Sequence, residues 1–446
     1  MIILSLNSGS SSLKFQLYDY EKQATLSTGI VERVTVGGSF IKFCRYGGTA
    51  IKQDHDCPDH KEAIKLILQT ITDRENGVLK GLGEIAAVGH RVVHGGEKFR
   101  KSVIITPETI ETLRGLFDLA PLHNPPNVLG IEAALEVMPN VPHMAVLDTA
   151  WHQTMPPHAF MYALPRSWYT GHGVRKYGFH GTSLLYCAKR AAVLLGKDPF
   201  KTNVVILHIG NGVSANAVKN GLSYDTSMGL TPLEGLIMGT RSGDADPAIP
   251  LHMMQVEGKS AKEMANILNK QAGILGITDG RWTDRRDVEL AAKDGNELAA
   301  LAIDMESYRI KKYIGAYAAA VGGIDAVVFT AGVGEMSSTI RAKSVEGLEF
   351  MGVKLDPAKN DLAHTRNAEV DISTDDSPVK IFVIPTDEER VIIEDVVALL
   401  NGTYDEHTRF VYPFQKPDYA NPQRLEEFER ECELKPVLRR IERKPA

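Results

Sequence analysis

The first apolar positions of the chain fall into two runs separated by a polar gap. IILSL (2–6) is apolar almost throughout, NSGSSS follows, and LKFQLYD (13–19) alternates. An apolar run, a serine-rich turn and an alternating run predict strand, turn, strand. The same plan returns at 204–221, as VVILHI, then GNG, then VSANAVKNG. Two copies of one unit, so far apart in the chain, predict a duplicated α/β domain. Both turns offer backbone N–H groups and short polar side chains to phosphate oxygens, although ordinary hairpin turns use the same residues.

Further elements follow from the same patterns. IAAVGHRVVHGG (85–96) predicts a strand ending in a glycine turn, and VPHMAVLDTAWH (141–152) a buried strand whose polar end begins at Asp148. Helical spacing runs from Leu184 to Leu195, with Thr182 or Ser183 as N-cap. IDAVVFTAGVGE (324–335) predicts a strand and a glycine turn. KIFVIPTDEERVIIEDVVALL (380–400) predicts strand, turn and helix, with Thr386 and Glu389 as a capping box. Strands that end in polar or glycine-rich turns place chemistry at one edge of a sheet. Beyond Gly402 the pattern breaks: Pro413, Pro417, Pro422 and Pro436 interrupt it, and charges dominate from Arg424 to Lys444.

Composition narrows the class. At 446 residues the chain exceeds one core, so two or more domains are expected. With 24% charged residues and a net charge of −6 it reads as a soluble globular protein, with no electrostatic reason to bind nucleic acid or an anionic membrane. Its cysteines (Cys44, Cys57, Cys187, Cys432) are dispersed, which fits a reducing cytoplasm better than a disulfide frame or a zinc site. The N-terminus is too briefly apolar for a signal peptide, and no apolar run approaches a membrane span. A P-loop motif is absent. Gly81, Gly83 and Ala86 have dinucleotide-motif spacing but precede a strand instead of following one, which excludes that reading.

Candidate chemistry concentrates at 225–249, DTSMGLTPLEGLIMGTRSGDADPAI, where Arg241 stands between Thr240 and Ser242 among glycines. A glycine-hinged guanidinium among hydroxyls suits an anion clamp; a surface loop with an incidental arginine is the plain alternative. Arg91 lies in a similar context, HRVVHGG. Two converging arginines would neutralise a phosphoryl group in flight, although surface ion pairing is the commoner fate of such residues. His180, just before a predicted helix, suits donation to a phosphoryl oxygen, or is a satisfied structural histidine. His123, ahead of two prolines, carries the same ambiguity. Asp148 and Glu388 are the carboxylates best placed to arrange magnesium, directly or through water.

Taken in order, LNSGSSSLKF, GHRVVHGGEKF, APLHNPPN, LDTAWHQTMP, YGFHGTS, the segment from Ile209 to Ile249, and FTAGVGE resemble the acetate kinase family over about residues 1–400. The resemblance implies two duplicated ribonuclease-H-like α/β domains around a central cleft, the actin-like ATPase fold. The acyl-side domain would span 1–150, completed by about 386–400, and the nucleotide-binding domain 151–385, with 402–446 an extension of unread role. It also implies reversible phosphoryl transfer from ATP to acetate, a homodimer, and Mg²⁺, with Mn²⁺ as the alternative metal.

By motif, Arg91 and Arg241 would hold the acetyl carboxylate and the transferring phosphoryl, with His180 stabilising the transition state and His123 nearby. Asn7, Asp148 and Glu388 would organise the metal, and Ser10, Ser12 and Lys14 the phosphate side. Val93, Leu122, Phe179 and Pro232 would form a small acyl pocket. His208, Gly210, Asn211 and Gly212 would meet the nucleotide phosphates, with Asp284, Arg286, Gly332 and Gly334 on the adenosine side. The chain departs from the family at Leu184 (a histidine is usual), Arg285 (an aromatic), Met336 (an asparagine) and Asp387 (an asparagine). Three alternatives stay open: a propionate or butyrate kinase, an acetate kinase with another phosphoryl donor, and a nucleotide-binding regulatory protein without turnover.

Overall fold

The N-terminal hairpin seeds the first sheet. β1 (Ile2–Ser8) pairs antiparallel with β2 (Ser12–Asp19), which sets Asn7 opposite Lys14 across the turn. β3 (Ala24–Glu32), β4 (Phe40–Arg45) and β5 (Ile51–Asp54) extend the meander from β2. On the other side of β1, β6 (Ile85–Val92) runs parallel, followed by β7 (Val103–Ile104) and β8 (His143–Leu147), in the spatial order β5-β4-β3-β2-β1-β6-β8-β7. The nearly continuous apolar run of β1 has a direct cause: both of its faces are covered. Leu4 and Leu6 pack with Leu13, Phe15, Ile64 and Ile67 of the helix His60–Ile71 and Ala134 of the helix Asn124–Val137. Ile3 joins Ala87, Met144, Ile392 and Val396, the last two from the helix Glu388–Leu400.

The computed structural model describes residues 1–121 and 123–441, and these divide into two compact units. The first comprises Met1–Gln153, Asp387–Pro413 and Asn421–Gln423; the second comprises Thr154–Thr386, Phe414–Ala420 and the chain from Arg424. The second unit's sheet is built from β9 (Val204–Ile209), β10 (Val213–Lys219), β11 (Leu222–Thr226), β12 (Ala326–Thr330), β13 (Val370–Asp371) and β14 (Lys380–Val383), ordered β11-β10-β9-β12-β14-β13. β9 and β12 are buried along their whole length, and the helices Gly181–Leu194 and Glu297–Val321 pack on this sheet.

An antiparallel meander followed by parallel strands occurs twice, as β3-β2-β1-β6-β8 and as β11-β10-β9-β12-β14. This is the duplicated α/β topology that the resemblance implies. One local expectation fails: the glycine turn after β12 is a short helix, Ala331–Met336. The described residues beyond Gly402 are divided between the two units. In the first, Tyr412 is fully buried and Gln423 bonds Thr25 through both its amide atoms. In the second, Phe414 is fully buried and Glu431 accepts from Thr365 and Asn367. Among the described residues no helix is long and apolar enough to cross a membrane.

Candidate active site

In the first unit the chemistry gathers at the carboxyl ends of β6 and β8. Arg91 donates from Nη2 to Asp148 Oδ2 at 2.9 Å, and the Asp148 amide in turn donates to the Val92 carbonyl at 2.9 Å. Burial opposes the Arg91 charge, but Asp148, Glu388 and Glu389 outweigh it and hold the guanidinium firmly cationic. Glu388 opens the helix Glu388–Leu400 beside them. Burial pushes its pKa up to about 7, against the pull of Arg91 and with a further push from Asp148. Its Oε1 is buried without a hydrogen-bond partner among the described residues.

An orphaned carboxylate oxygen next to a second buried acid fits a divalent cation. No cluster of three or more His, Cys, Asp or Glu forms a protein cage among the described residues. Two carboxylates of this kind suit a divalent cation that completes its shell with water and substrate phosphate. Asn7 and Lys14 face each other at the β1–β2 turn, and Lys14 is near enough to Glu388 to favour its charge. Ser10 is exposed and Ser12 partly so; the Gly9 amide donates to the Ser12 carbonyl and His60 Nε2 to the Gly9 carbonyl, fixing the turn. Val93 is buried just past Arg91, its amide bonded to Asn127 Oδ1. His123 precedes the helix that supplies Asn124 and Asn127, which pin the His94 and Val93 backbones. Leu122 lies outside the described residues.

The second unit assembles His180, His208, Arg241 and the turn Gly210–Gly212. The imidazoles of His180 and His208 stack with centroids 4.1 Å apart and planes 12° from parallel. Gly212 permits this cluster: a Cβ there would lie 2.8 Å from Arg241 Nη2 and 3.4 Å from His180 Cε1. Arg241 Nη1 donates to the Pro232 carbonyl at 2.6 Å, and no carboxylate pairs with it among the described residues. Burial alone pulls its pKa below the ordinary guanidinium value. Phe179, immediately before His180, is buried.

The arginine loop is closed at its base. The Asp244 carboxylate accepts from the Gly235 amide at 2.8 Å and from Tyr313 Oη at 2.7 Å, while Arg309 donates to the Gly235 carbonyl at 3.1 Å. Gly243, at φ 66°, could bear no side chain there, since a Cβ would lie 2.4 Å from the Gly235 carbonyl oxygen. The loop is thus a fixed support for Arg241.

Two caps expected from the sequence are not caps. The helix Gly181–Leu194 has His180 at its N-cap position, at φ 57°, with no side-chain capping bond. Asp387, not Thr386, caps the helix Glu388–Leu400 by accepting from the Arg390 amide. The freed hydroxyls do something else: Thr386 Oγ1 donates to Ser183 Oγ, which lies 2.8 Å from His208 Nδ1. Neither residue stood out in the sequence, because a Ser or Thr ahead of a helix is read as a cap first.

On the expected adenosine side, Asp284 caps the helix Arg285–Lys293 and pairs with the exposed Arg286. Arg285, where an aromatic was expected, is buried in an ion pair with Glu306 at 2.7 Å, and its Nη1 would lie 3.3 Å from a Cβ on Gly239. Gly332 and Gly334 belong to the short helix after β12, whose Gly334 and Glu335 carbonyls are bonded by the fully buried Arg341. Leu184 is fully buried.

Known proteins resemble this chain over most of its length. The sequence profile of the acetokinase family matches residues 2–394. The chain is 60% identical to the acetate kinase of Trichlorobacter lovleyi, over 94% of this chain and 100% of the relative. The crystal structure of Porphyromonas gingivalis acetate kinase superposes with a TM-score of 0.87 at 47% identity, covering 90% of this chain and 99% of that one. A propionate kinase from Francisella tularensis superposes with a TM-score of 0.82 at 40% identity, covering 89% and 99%. Profile, near-complete alignment and duplicated sheets agree: the chain belongs to the acetokinase family, whose reaction uses ATP, acetate and a divalent metal.

Proposed function

We propose that this chain transfers the γ-phosphoryl group of ATP to acetate, reversibly, giving acetyl phosphate and ADP by direct in-line attack. The observation that carries the reading is Arg241, a partly buried guanidinium without a carboxylate partner among the described residues, set against His180 at the Gly212 turn, where the His180 and His208 rings stack. A cation held this way is completed by substrate charge. Acetate is already ionised at pH 7, so the attacking oxygen needs no general base. What the reaction requires is positioning and neutralisation of the three equatorial phosphoryl oxygens.

We assign that neutralisation to Arg241, His180 and Arg91, with His123 close by in sequence to the acyl residues. Asp148, Glu388 and Asn7 would hold Mg²⁺, and Ser10, Ser12 and Lys14 would serve the phosphate side. When bound, the cation supplies charge neutralisation on the nucleotide phosphates. His208, Gly210, Asn211 and Gly212 would contact those phosphates, and Asp284, Arg286, Gly332 and Gly334 the adenosine side. Val93, from the first unit, and Phe179 and Pro232, from the second, are assigned to the acyl group. A homodimer is part of the same reading: the helix Ala248–Glu257 buries none of its residues and exposes Ile249, Leu251 and Val256. The four free cysteines suit a cytoplasmic setting.

Incubating the purified protein with Mg-ATP, acetate and hydroxylamine tests the proposal, with acetyl hydroxamate as the expected product. No hydroxamate above a protein-free control sinks it. The Francisella propionate kinase motivates running propionate in parallel. One methylene is worth about 1–3 kcal/mol of discrimination, so acetate is expected to lead in kcat/KM by about 10-fold or more. A higher value for propionate would reassign the acyl substrate.

A further inference from the structure

The two hydroxyls that do not cap helices meet the phosphate side of the second unit through one histidine. Thr386 Oγ1 donates to Ser183 Oγ at 2.8 Å, and Ser183 Oγ lies 2.8 Å from His208 Nδ1. A hydroxyl carries one proton. Having accepted from Thr386, Ser183 gives its own proton to His208 Nδ1, which leaves the ring proton of a neutral His208 on Nε2. That nitrogen is on the side of the glycine turn, 3.9 Å from where a Cβ on Gly210 would stand.

The first member of this chain is fixed from the backbone. The Thr386 amide donates to Glu335 Oε1 at 3.1 Å, and its carbonyl accepts from Arg424 Nη2 at 2.7 Å. Ser183 is fully buried, so bulk water does not compete for its proton. The stack with His180 adds a second constraint: two imidazolium rings with centroids 4.1 Å apart would repel strongly. The two rings therefore cannot readily both be cations, and a neutral ring donates to phosphate only if its proton sits on the correct nitrogen. A neutral His208 with its proton on Nδ1 would turn a lone pair towards a phosphate oxygen.

We infer that Thr386 and Ser183 are positioning residues, a hydroxyl relay that holds His208 in the Nε2–H tautomer as a neutral donor to a phosphate oxygen at the Gly210–Gly212 turn. The inference rests on the phosphoryl-transfer reading for its purpose, but the tautomer itself is a property of the protein alone.

Long-range ¹H–¹⁵N spectra of the full-length, ¹⁵N-histidine-labelled protein read the tautomer directly, with His208→Gln assigning the signals. The wild type should show a protonated Nε2 and an unprotonated Nδ1 at His208. Ser183→Ala should move proton occupancy towards Nδ1 and lower kcat by about 10- to 100-fold, the scale on which the outer partners of functional histidines act. KM for acetate should stay unchanged, and Ser183→Thr should restore both signals and rate. A wild-type His208 protonated on Nδ1, or a Ser183→Ala protein with the wild-type tautomer, overturns the relay. If Ser183→Ala does not fold, the wild-type spectrum and Thr386→Val decide. Failure of the wild type to phosphorylate acetate would sink the functional reading and leave the tautomer result standing.

Discussion

Arg91 and Arg241 carry the same side chain in opposite electrostatic settings, and their variants should separate accordingly. Arg241 has no carboxylate partner among the described residues, so Arg241→Ala would remove the contact proposed with the reacting phosphoryl group and leaves no buried anion behind. On the proposed role, kcat should fall about 10²- to 10³-fold, the cost of deleting one preorganised donor, with the thermal midpoint unchanged or raised. Arg91→Ala strands Asp148 and Glu388 without their cation, so it should lose both kcat and several degrees of thermal stability. Initial rates with thermal unfolding on both variants decide the matter. A kcat within about twofold of wild type for Arg241→Ala would reduce that arginine to a loop residue. Both arginines were legible in the sequence from their glycine contexts. The pairing of Arg91 with Asp148 was not, because the two are 57 residues apart and nothing local links them. Ser183 and Thr386 were hidden for the opposite reason: a local explanation, capping, was available and wrong.

At the scale of elements the strands were the readable part. Apolar runs, alternation and polar or glycine-rich ends located β1, β2, β6, β8, β9, β10, β12 and β14, since burial on one face or both leaves a periodic or continuous signal. Helix starts were less readable. They depend on side-chain geometry at one residue, and Asp387 beside Thr386 offers the backbone an equally good acceptor. The chain beyond Gly402 was unreadable because its order comes from partners supplied by other elements. Asp395, on the helix Glu388–Leu400, shows this: it is buried and accepts from Ser102 at 2.6 Å, Tyr412 at 2.9 Å and Tyr404 at 3.3 Å.

Burial pushes the Asp395 pKa up to about 7, the three hydroxyls pull against it, and Glu394 pushes it further. A carboxyl whose folded pKa exceeds its unfolded value of about 3.9 binds more protons when folded. Its stabilising contribution is therefore complete below the unfolded value and is lost as pH rises through about 7. Asp395→Asn removes the titration. Relative to the variant, the wild type should lose about 2 kcal/mol between pH 5 and pH 8, read from urea midpoints. Parallel pH dependence in the two proteins would mean that Asp395 titrates as an ordinary carboxyl.

For the molecule as a whole, the duplication was visible in the sequence as two strand–turn–strand units, and each became the centre of a sheet. What no internal pattern revealed is which surface stays apolar after both cores are filled. The helix Ala248–Glu257, AIPLHMMQVE, is apolar enough for a core and yet buries none of its residues. Ile249, Leu251 and Val256 are between 51% and 63% exposed. On the helix Glu297–Val321 of the same unit, Leu301, Met305 and Tyr308 form an exposed stripe at helical spacing. Surfaces of this kind are normally covered, and a second copy of the chain presents the same patch to itself under twofold symmetry. Sedimentation velocity should therefore find the wild type at twice the 48.9 kDa chain mass. Leu251→Asp combined with Val256→Asp should move it to the single-chain mass with unchanged far-ultraviolet circular dichroism, since neither side chain supports a core within the chain. A wild type that sediments as one chain rules out the dimer. A variant that stays dimeric moves the interface off this helix.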